Sequence, residues 1–362
     1  MSTVHRTTSL LRVRDLVKDF PVRRSWRSWL GRQPIQRLRA IDGVSLDLDT
    51  GETLGLVGES GCGKTTFGRV VAGLTRPSSG IVEYQGESTN SLKGDAYRAF
   101  RKEVQVIFQD PFSSLDPHQT VESAIREPLE IHRVGAREQR RARVRELMDQ
   151  VSLPARYATR LPHELSGGLR QRVGIASALG LAPRLIVADE PTSALDASVQ
   201  AEILNLLGDL QRSLGMSYIL ISHNLDVVRY LSHRVAVMYL GRVVELGSAD
   251  DVFAHPKHPY TRALMAAVPR PDAKTPLRPL AVRGEIPSPT EIPAGCPFHP
   301  RCWMAQSICE SQAPPLYDYG GSHSARCHIT AQEAGAAVAP SGALRGSGAQ
   351  TPQSAPAQSG SS

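Results

Sequence analysis

The chain has 362 residues, a formal net charge of +7 and 41% hydrophobic residues, enough apolar material for a sizeable core. No run of about 20 apolar residues occurs, which excludes a helix that crosses a membrane, and the opening MSTVHRTTSLLRVRDLVKDF mixes charged and apolar residues too closely for a signal peptide. A cytoplasmic location is expected, while the positive charge alone does not choose between phosphate ligands, nucleic acid and an anionic membrane face.

Residues 10–50 alternate in strand fashion, as in Val44-Ser45-Leu46-Asp47-Leu48-Asp49, and residues 80–86 add another strand bounded by turn signals. Together they predict an antiparallel β subdomain. The insert at residues 23–39 carries Arg23, Arg24, Arg27, Arg32, Arg37 and Arg39 beside Trp26 and Trp29. It reads as a solvated loop first, a membrane or partner contact second and a nucleic-acid contact last.

Residues 54–57 predict a short buried strand, followed by Gly58-Glu59-Ser60-Gly61-Cys62-Gly63-Lys64-Thr65-Thr66 and a helix. This is the G-x-x-x-x-G-K-[ST] phosphate loop in the strand, loop, helix setting it requires. Its glycines let backbone N–H groups and the helix N-terminus face phosphate oxygens. Lys64 would reach the β and γ phosphates, the Thr65 hydroxyl would ligate Mg²⁺, and Thr66 would support phosphate binding. Cys62 reads as a small loop filler.

Residues 122–149 are charged and helical, with apolar positions at Val144, Leu147, Met148 and Val151. Next comes Leu165-Ser166-Gly167-Gly168-Leu169-Arg170-Gln171-Arg172 with an apolar helical run behind it. Ser166, Gly167 and Gly168 make a second phosphate-binding helix N-terminus. A chain that already has one phosphate loop needs this segment in trans, capping ATP held by Lys64 of another subunit. Residues 184–190 form an apolar strand that ends in two acids. Asp189 would hold the metal through water, and Glu190 would polarise the water attacking the γ phosphate.

With LSGG in place, the sequence resembles the ABC ATPase superfamily. The resemblance implies an α/β fold: an ABC-type P-loop NTPase with an antiparallel β subdomain and a helical signature subdomain. Gln109 in Val106-Ile107-Phe108-Gln109-Asp110-Pro111 resembles the Q-loop glutamine that touches Mg²⁺ and the attacking water. Asp196 in Ser193-Ala194-Leu195-Asp196 resembles the D-loop residue at the dimer interface, and His223 resembles the switch histidine that contacts the γ phosphate. Phe20 is the candidate for stacking on adenine. Leu169 departs from the glutamine common after LSGG, which puts local trans contacts in doubt. The segment 112–128 corresponds to the region that receives a cytoplasmic helix of the membrane subunit in ABC transporters.

Beyond the core, Phe253-Ala254-His255-Pro256-Lys257-His258-Pro259-Tyr260-Thr261 and Cys296-Pro297-Phe298-His299-Pro300-Arg301-Cys302 resemble the C-terminal extension of ATP-binding subunits of oligopeptide/dipeptide importers. Residues 40–45 and 61–66 look closer to the second of that family's two paralogous ATPases. The expected division is an ATPase domain at 8–252, with its helical subdomain at about 110–180, then the extension at 253–329 and a disordered tail at 330–362. Cys296, Cys302, Cys309 and Cys327 are spaced C-x₅-C-x₆-C-x₁₇-C. Four thiolates suit zinc or a [4Fe–4S] cluster, and reduced or disulfide-forming thiols remain a third reading. The resemblance implies the [4Fe–4S] cluster, which would fix a Pro-rich lobe with little core of its own. His255 and His258 read as turn or packing residues, with His299 and His328 as weaker candidates beside the cysteines. The implied partners are a paralogous ABC ATPase and two transmembrane permeases, with an extracytoplasmic substrate-binding protein reached indirectly. The expected place is the cytoplasmic face of the cell membrane, with no nucleic acid. The cargo, whether dipeptides, longer peptides, nickel or another small solute, is not written in this chain; a soluble ABC ATPase acting on nucleic acid or ribosomes is the competing class.

Overall fold

The alternating N-terminal segments become β1 (Ser9–Pro21) and β2 (Arg37–Asp49), which pair antiparallel and bury Leu11, Val13, Leu16, Ile41, Leu46 and Leu48. With β4 (Ser79–Tyr84) and β5 (Glu87–Ser88) they form an antiparallel sheet in the order β2-β1-β4-β5. The computed structural model describes residues 9–21, 37–110, 115–267, 282 and 284–339. Most of the basic insert at 23–39, Phe112 at the start of the expected permease-facing segment, and the tail from 340 onward lie outside the described residues.

The second sheet is built from apolar runs. β3 (Thr53–Val57), β6 (Val104–Ile107), β7 (Leu185–Asp189), β8 (Ser217–Ile221) and β9 (Arg234–Tyr239) are parallel in the order β9-β3-β8-β7-β6. Both faces are covered, so polar alternation disappears from the strands. Ile186, Ala188, Tyr218, Leu220, Val235 and Val237 face one core. Leu185, Val187, Ile219, Ile221, Ala236 and Met238 face the other, shared with the antiparallel sheet and the helix α1 (Lys64–Val71). Another helix, α2 (Gly94–Glu103), leads directly into β6.

The helical region comprises α3 (Val121–Ile131), α4 (Arg137–Gln150) and α5 (Gly167–Leu179). Thr120 caps α3 by accepting from the Ser123 N–H at 3.3 Å. In the strongly charged α4, Val144, Leu147 and Met148 fall on one face at helical spacing and are its buried residues. The long helix α6 (Ala197–Leu214) starts at the Asp196 cap and stops at Gly215 in the left-handed conformation. A shorter helix, α7 (Leu225–Leu231), follows β8. The chain is therefore a mixed α/β protein with one antiparallel sheet, one mixed sheet and a helical region.

After β9 the chain turns back as β10 (Arg242–Ser248), then forms α8 (Ala249–Ala254) and α9 (Pro259–Ala266). Farther on come α10 (Ser307–Ser311), β11 (Tyr317–Asp318), β12 (Ser324–Ala325), α11 (His328–Ala334) and β13 (Ala337–Val338). The three short strands continue the main sheet past β10, with Glu245 opposite Ala325 and Leu246 opposite Ser324. Sheet pairing thus holds the C-terminal segment to the core. The expected disordered tail does not begin at Thr330: Thr330 and Ala331 are buried in α11, and the Ala339 N–H donates to the Leu316 carbonyl at 2.8 Å. Backbone pairing needs none of the large apolar side chains that this stretch lacks. Among the described residues, no helix is long and apolar enough to cross a membrane.

Candidate active site

Four parallel strands deliver their C-terminal ends to one edge of the sheet, the usual place for a ligand in an open α/β sheet. β3 feeds the Gly58 loop, β6 leads to Gln109, β7 ends at Asp189 and β8 leads to His223. The loop between β3 and α1 is wedged against the backbone behind it. A Cβ on Gly63, at φ +108°, would stand 2.1 Å from the Ala40 carbonyl oxygen. At Gly58 the clash would be with the Met238 carbonyl oxygen at 2.2 Å. Glycine is thus demanded by close packing as well as by backbone conformation. Gly61 also has a positive φ, but it and Ser60 lie exposed at the tip. No side chain caps α1 at Gly63, so its first amides are available to an anion.

The buried Lys64 ammonium donates to the carbonyl oxygens of Gly58 at 2.7 Å and Glu59 at 3.0 Å, with the Cys62 sulfur at 3.8 Å. Burial pushes the Cys62 thiol up, against the pull of Lys64. This agrees with a filler role and disfavours a reactive thiolate. Thr66 continues α1 beside Thr65.

The Thr65 hydroxyl donates to Asp189 Oδ1 at 3.1 Å. Burial raises the Asp189 carboxyl, opposed by this hydrogen bond and reinforced by Glu190. A hydroxyl beside a desolvated carboxylate is a donor set suited to Mg²⁺, which takes few protein ligands and completes its shell with phosphate and water. Glu190 is held at both carboxylate oxygens: Gln109 Nε2 donates to Oε2 at 3.0 Å, and His223 Nδ1 lies 3.0 Å from Oε1. The Glu190 backbone sits at φ 48°, an unusual conformation for a non-glycine residue, and its N–H donates to the Ile221 carbonyl at 2.8 Å. A carboxylate so oriented is able to accept a proton from a water bound at its open side.

Ser166 and Asp196 form a neighbouring unit. Ser166 caps α5 by accepting from the Leu169 N–H at 3.4 Å, and Asp196 caps α6 by accepting from the Val199 N–H at 3.0 Å. The two caps pack together. A Cβ on Gly168 would come within 2.4 Å of Val199 Cγ1, and one on Gly167 within 3.2 Å of Leu195 Cδ2. Leu169, where glutamine is common, turns its side chain against the core. Phe20 stands at the end of β1, partly exposed at 38%, with the Lys18 ammonium 4.9 Å from its ring centre.

The arrangement matches known proteins at two levels. The ABC transporter family profile covers residues 41–193, and the profile of the oligopeptide/dipeptide transporter C-terminal region covers residues 244–309. The oligopeptide transport ATP-binding protein AppF of Bacillus subtilis is 44% identical over 90% of this chain and 99% of its own length. Its counterpart OppF of Escherichia coli is 47% identical over 88% of this chain and 95% of its own. This chain belongs to the oligopeptide/dipeptide transporter ATP-binding protein family. Among solved structures, the dimeric ATP-binding cassette MJ0796 in a post-hydrolysis state, bound to ADP and Pi, aligns with a TM-score of 0.58 and 29% identity. That alignment covers 66% of this chain and 98% of the other. The chain of this transporter ATP-binding family is accordingly an ABC-type ATPase.

Two residues of the C-terminal extension, Tyr260 of the HPY segment and Arg301 of the cysteine-rich segment, reach the phosphate loop, a contact that neither segment announces. Tyr260 Oη accepts the Glu59 N–H at 2.7 Å. Arg301 grips the Glu59 carboxylate with two parallel hydrogen bonds, Nη1 to Oε2 at 2.8 Å and Nη2 to Oε1 at 2.9 Å. Hydrogen bonding to Glu59 raises the Arg301 guanidinium above its ordinary range, against burial. Arg301 and Glu59 are 242 positions apart in sequence. The HPY motif has a structural role of its own, since buried His258 caps α9 by accepting the Tyr260 N–H at Nδ1, at 3.1 Å.

The expected [4Fe–4S] cluster is overturned. Among the described residues, no group of three or more His, Cys, Asp or Glu side chains is arranged to hold a metal ion, which removes the zinc alternative as well. Cys296, Cys302, Cys309 and Cys327 line a cavity together with Phe298 and Ile329. Burial pushes the Cys296 thiol up to about 12 and the Cys302 thiol up to about 11, so both are packed here as neutral thiols. Cys309 and Cys327 pack with Ile329, and Met304 and Ile308 lie against them. All five cysteines are unpaired, and those of the extension serve as small apolar side chains. The nearby histidines are engaged elsewhere, His299 with the Cys296 carbonyl and His328 with Tyr317 Oη.

Proposed function

We propose that this chain is the peripheral ATPase subunit of a peptide importer. The observation that carries the reading is Glu190 held at one oxygen by Gln109 and at the other by His223, beside the Thr65–Asp189 pair. Lys64 and the amides of residues 58–66 bind the phosphates. Thr65 and Asp189, with Gln109 at the rim, hold Mg²⁺, which when bound offsets phosphate charge and polarises the γ phosphoryl group. Glu190 orients the attacking water and receives its proton, while His223 fixes the carboxylate and faces the γ phosphate.

The cassette at 8–252 pairs with a paralogous ATPase, so that Ser166, Gly167, Gly168 and Asp196 of each subunit close over nucleotide held by the other. Phe20 stacks on adenine. The helical region at about 110–180 passes the closure to two transmembrane permeases at the cytoplasmic face of the membrane, and an extracytoplasmic binding protein delivers peptide to them. The small cysteine-containing extension at 253–329 completes the subunit. The identities of AppF and OppF as oligopeptide transport ATP-binding proteins support the choice of cargo. Isolation of the tagged chain from membranes tests the assembly: two polytopic proteins and a second ATPase are expected with it. A soluble nucleic-acid complex in their place would sink the importer reading.

A further inference from the structure

Glu59 is engaged at three separate points. Its N–H donates to Tyr260, its carboxylate is gripped by Arg301, and its carbonyl accepts from the Lys64 ammonium. The Arg301 guanidinium is itself immobilised, lying 5.8 Å from the ring centres of both Tyr239 and Phe298, with Nη1 also 3.4 Å from Tyr239 Oη. Those two rings and Tyr260 make one aromatic cluster with centroid separations of 4.6 to 5.4 Å. A planar fork locked between aromatic faces loses little freedom when it binds a carboxylate.

Two consequences bear on ATP. A loop with left-handed glycines at positions 58, 61 and 63 is intrinsically free to adopt other shapes, and fixing Glu59 holds its first turn before nucleotide arrives. The Glu59 carboxylate also stands in a loop that must receive a polyanion, and Arg301 neutralises it.

Resting on the ATPase reading, we propose that Arg301 and Tyr260 are positioning residues of the nucleotide site: they clamp Glu59, so that the C-terminal extension sets the affinity of the phosphate loop for ATP. The clamp acts before the chemical step and equally on ground and transition states, so it governs KM and leaves kcat in place.

The test compares the full-length protein with Arg301→Met, Glu59→Gln, the double variant and Tyr260→Phe in steady-state ATP hydrolysis, with Lys64→Ala as the control. Arg301→Met should raise KM for ATP by roughly 10–100-fold, the weight of a charge-assisted hydrogen bond, with kcat held. The double variant should recover towards Glu59→Gln, because the unpaired carboxylate is then gone. Tyr260→Phe removes a single oxygen, keeps the aromatic packing and should raise KM in the same direction by a smaller factor. Its outcome stands even if Arg301→Met does not fold. Unchanged KM in Arg301→Met and Tyr260→Phe, with only a lower melting temperature, would overturn the clamp. Absence of any wild-type hydrolysis that Lys64→Ala abolishes would instead overturn the ATPase reading beneath it.

Discussion

On the proposed ATPase reading, Glu190 concentrates the chemistry in a single carboxylate whose two oxygens have different partners. Glu190→Gln keeps the shape and the capacity to accept a hydrogen bond but removes the proton acceptor. The variant is expected to bind ATP, to accumulate as the closed pair and to lose turnover by roughly 10²–10⁴-fold. Phosphate release together with the size of the nucleotide-bound species checks this, and rapid hydrolysis by the variant would assign the water-orienting role elsewhere. The residues of this centre were legible because each stands at a strand end in a motif of fixed spacing. Arg301 and Tyr260 were not, since their partner is a loop some two hundred positions earlier and neither belongs to a pattern that names phosphate. The cysteines misled for the opposite reason: spacing in sequence suggested ligands, while among the described residues no such group is arranged to hold a metal ion.

At the scale of elements, the signature segment does more than present a helix N-terminus. Gly168 lets α5 approach α6 so closely that Val199 occupies the space of a Cβ. Gly168→Ala is therefore expected to destabilise the chain by about 1–3 kcal/mol through overpacking. Adding Val199→Ala should restore most of the loss, because it removes the methyl group that clashes. Thermal unfolding of the two single variants and the double variant checks this, and a strictly additive double variant would show that the two sites are uncoupled. The apolar runs of β3 and β7 announced buried strands plainly. What they concealed was the edge of the sheet. β11, β12 and β13 are two residues each, without hydrophobic alternation, and their pairing beyond β10 follows from backbone hydrogen bonds that composition does not reveal.

Across the whole molecule, the cassette and its C-terminal extension meet at Glu245, which is fully buried on β10. Its carboxylate accepts the N–H groups of Lys257 at 2.7 Å and His258 at 2.8 Å, and His323 Nε2 lies 2.7 Å from it. His258 must stay neutral to accept the Tyr260 N–H. Burial lowers its pKa from the ordinary value of 6.5 to about 4, reinforced by Arg262 and opposed by Glu245 and by a backbone hydrogen bond with Arg326. Because the folded value lies below the unfolded one, the unfolded chain binds the additional proton between these limits. Stability from this residue is complete above about pH 6.5 and is lost as pH falls towards 4. At pH 5 the loss amounts to about 2 kcal/mol. His258→Asn keeps a capping acceptor without the titration. Urea unfolding of both proteins at pH 7.5 and pH 5 should show a larger acid loss in the wild type than in the variant, and equal losses would place the acid sensitivity in other groups. The same histidine sets the start of the helix that carries Tyr260 to the phosphate loop, so its protonation in the folded protein, as pH approaches 4, should loosen the extension and raise KM for ATP.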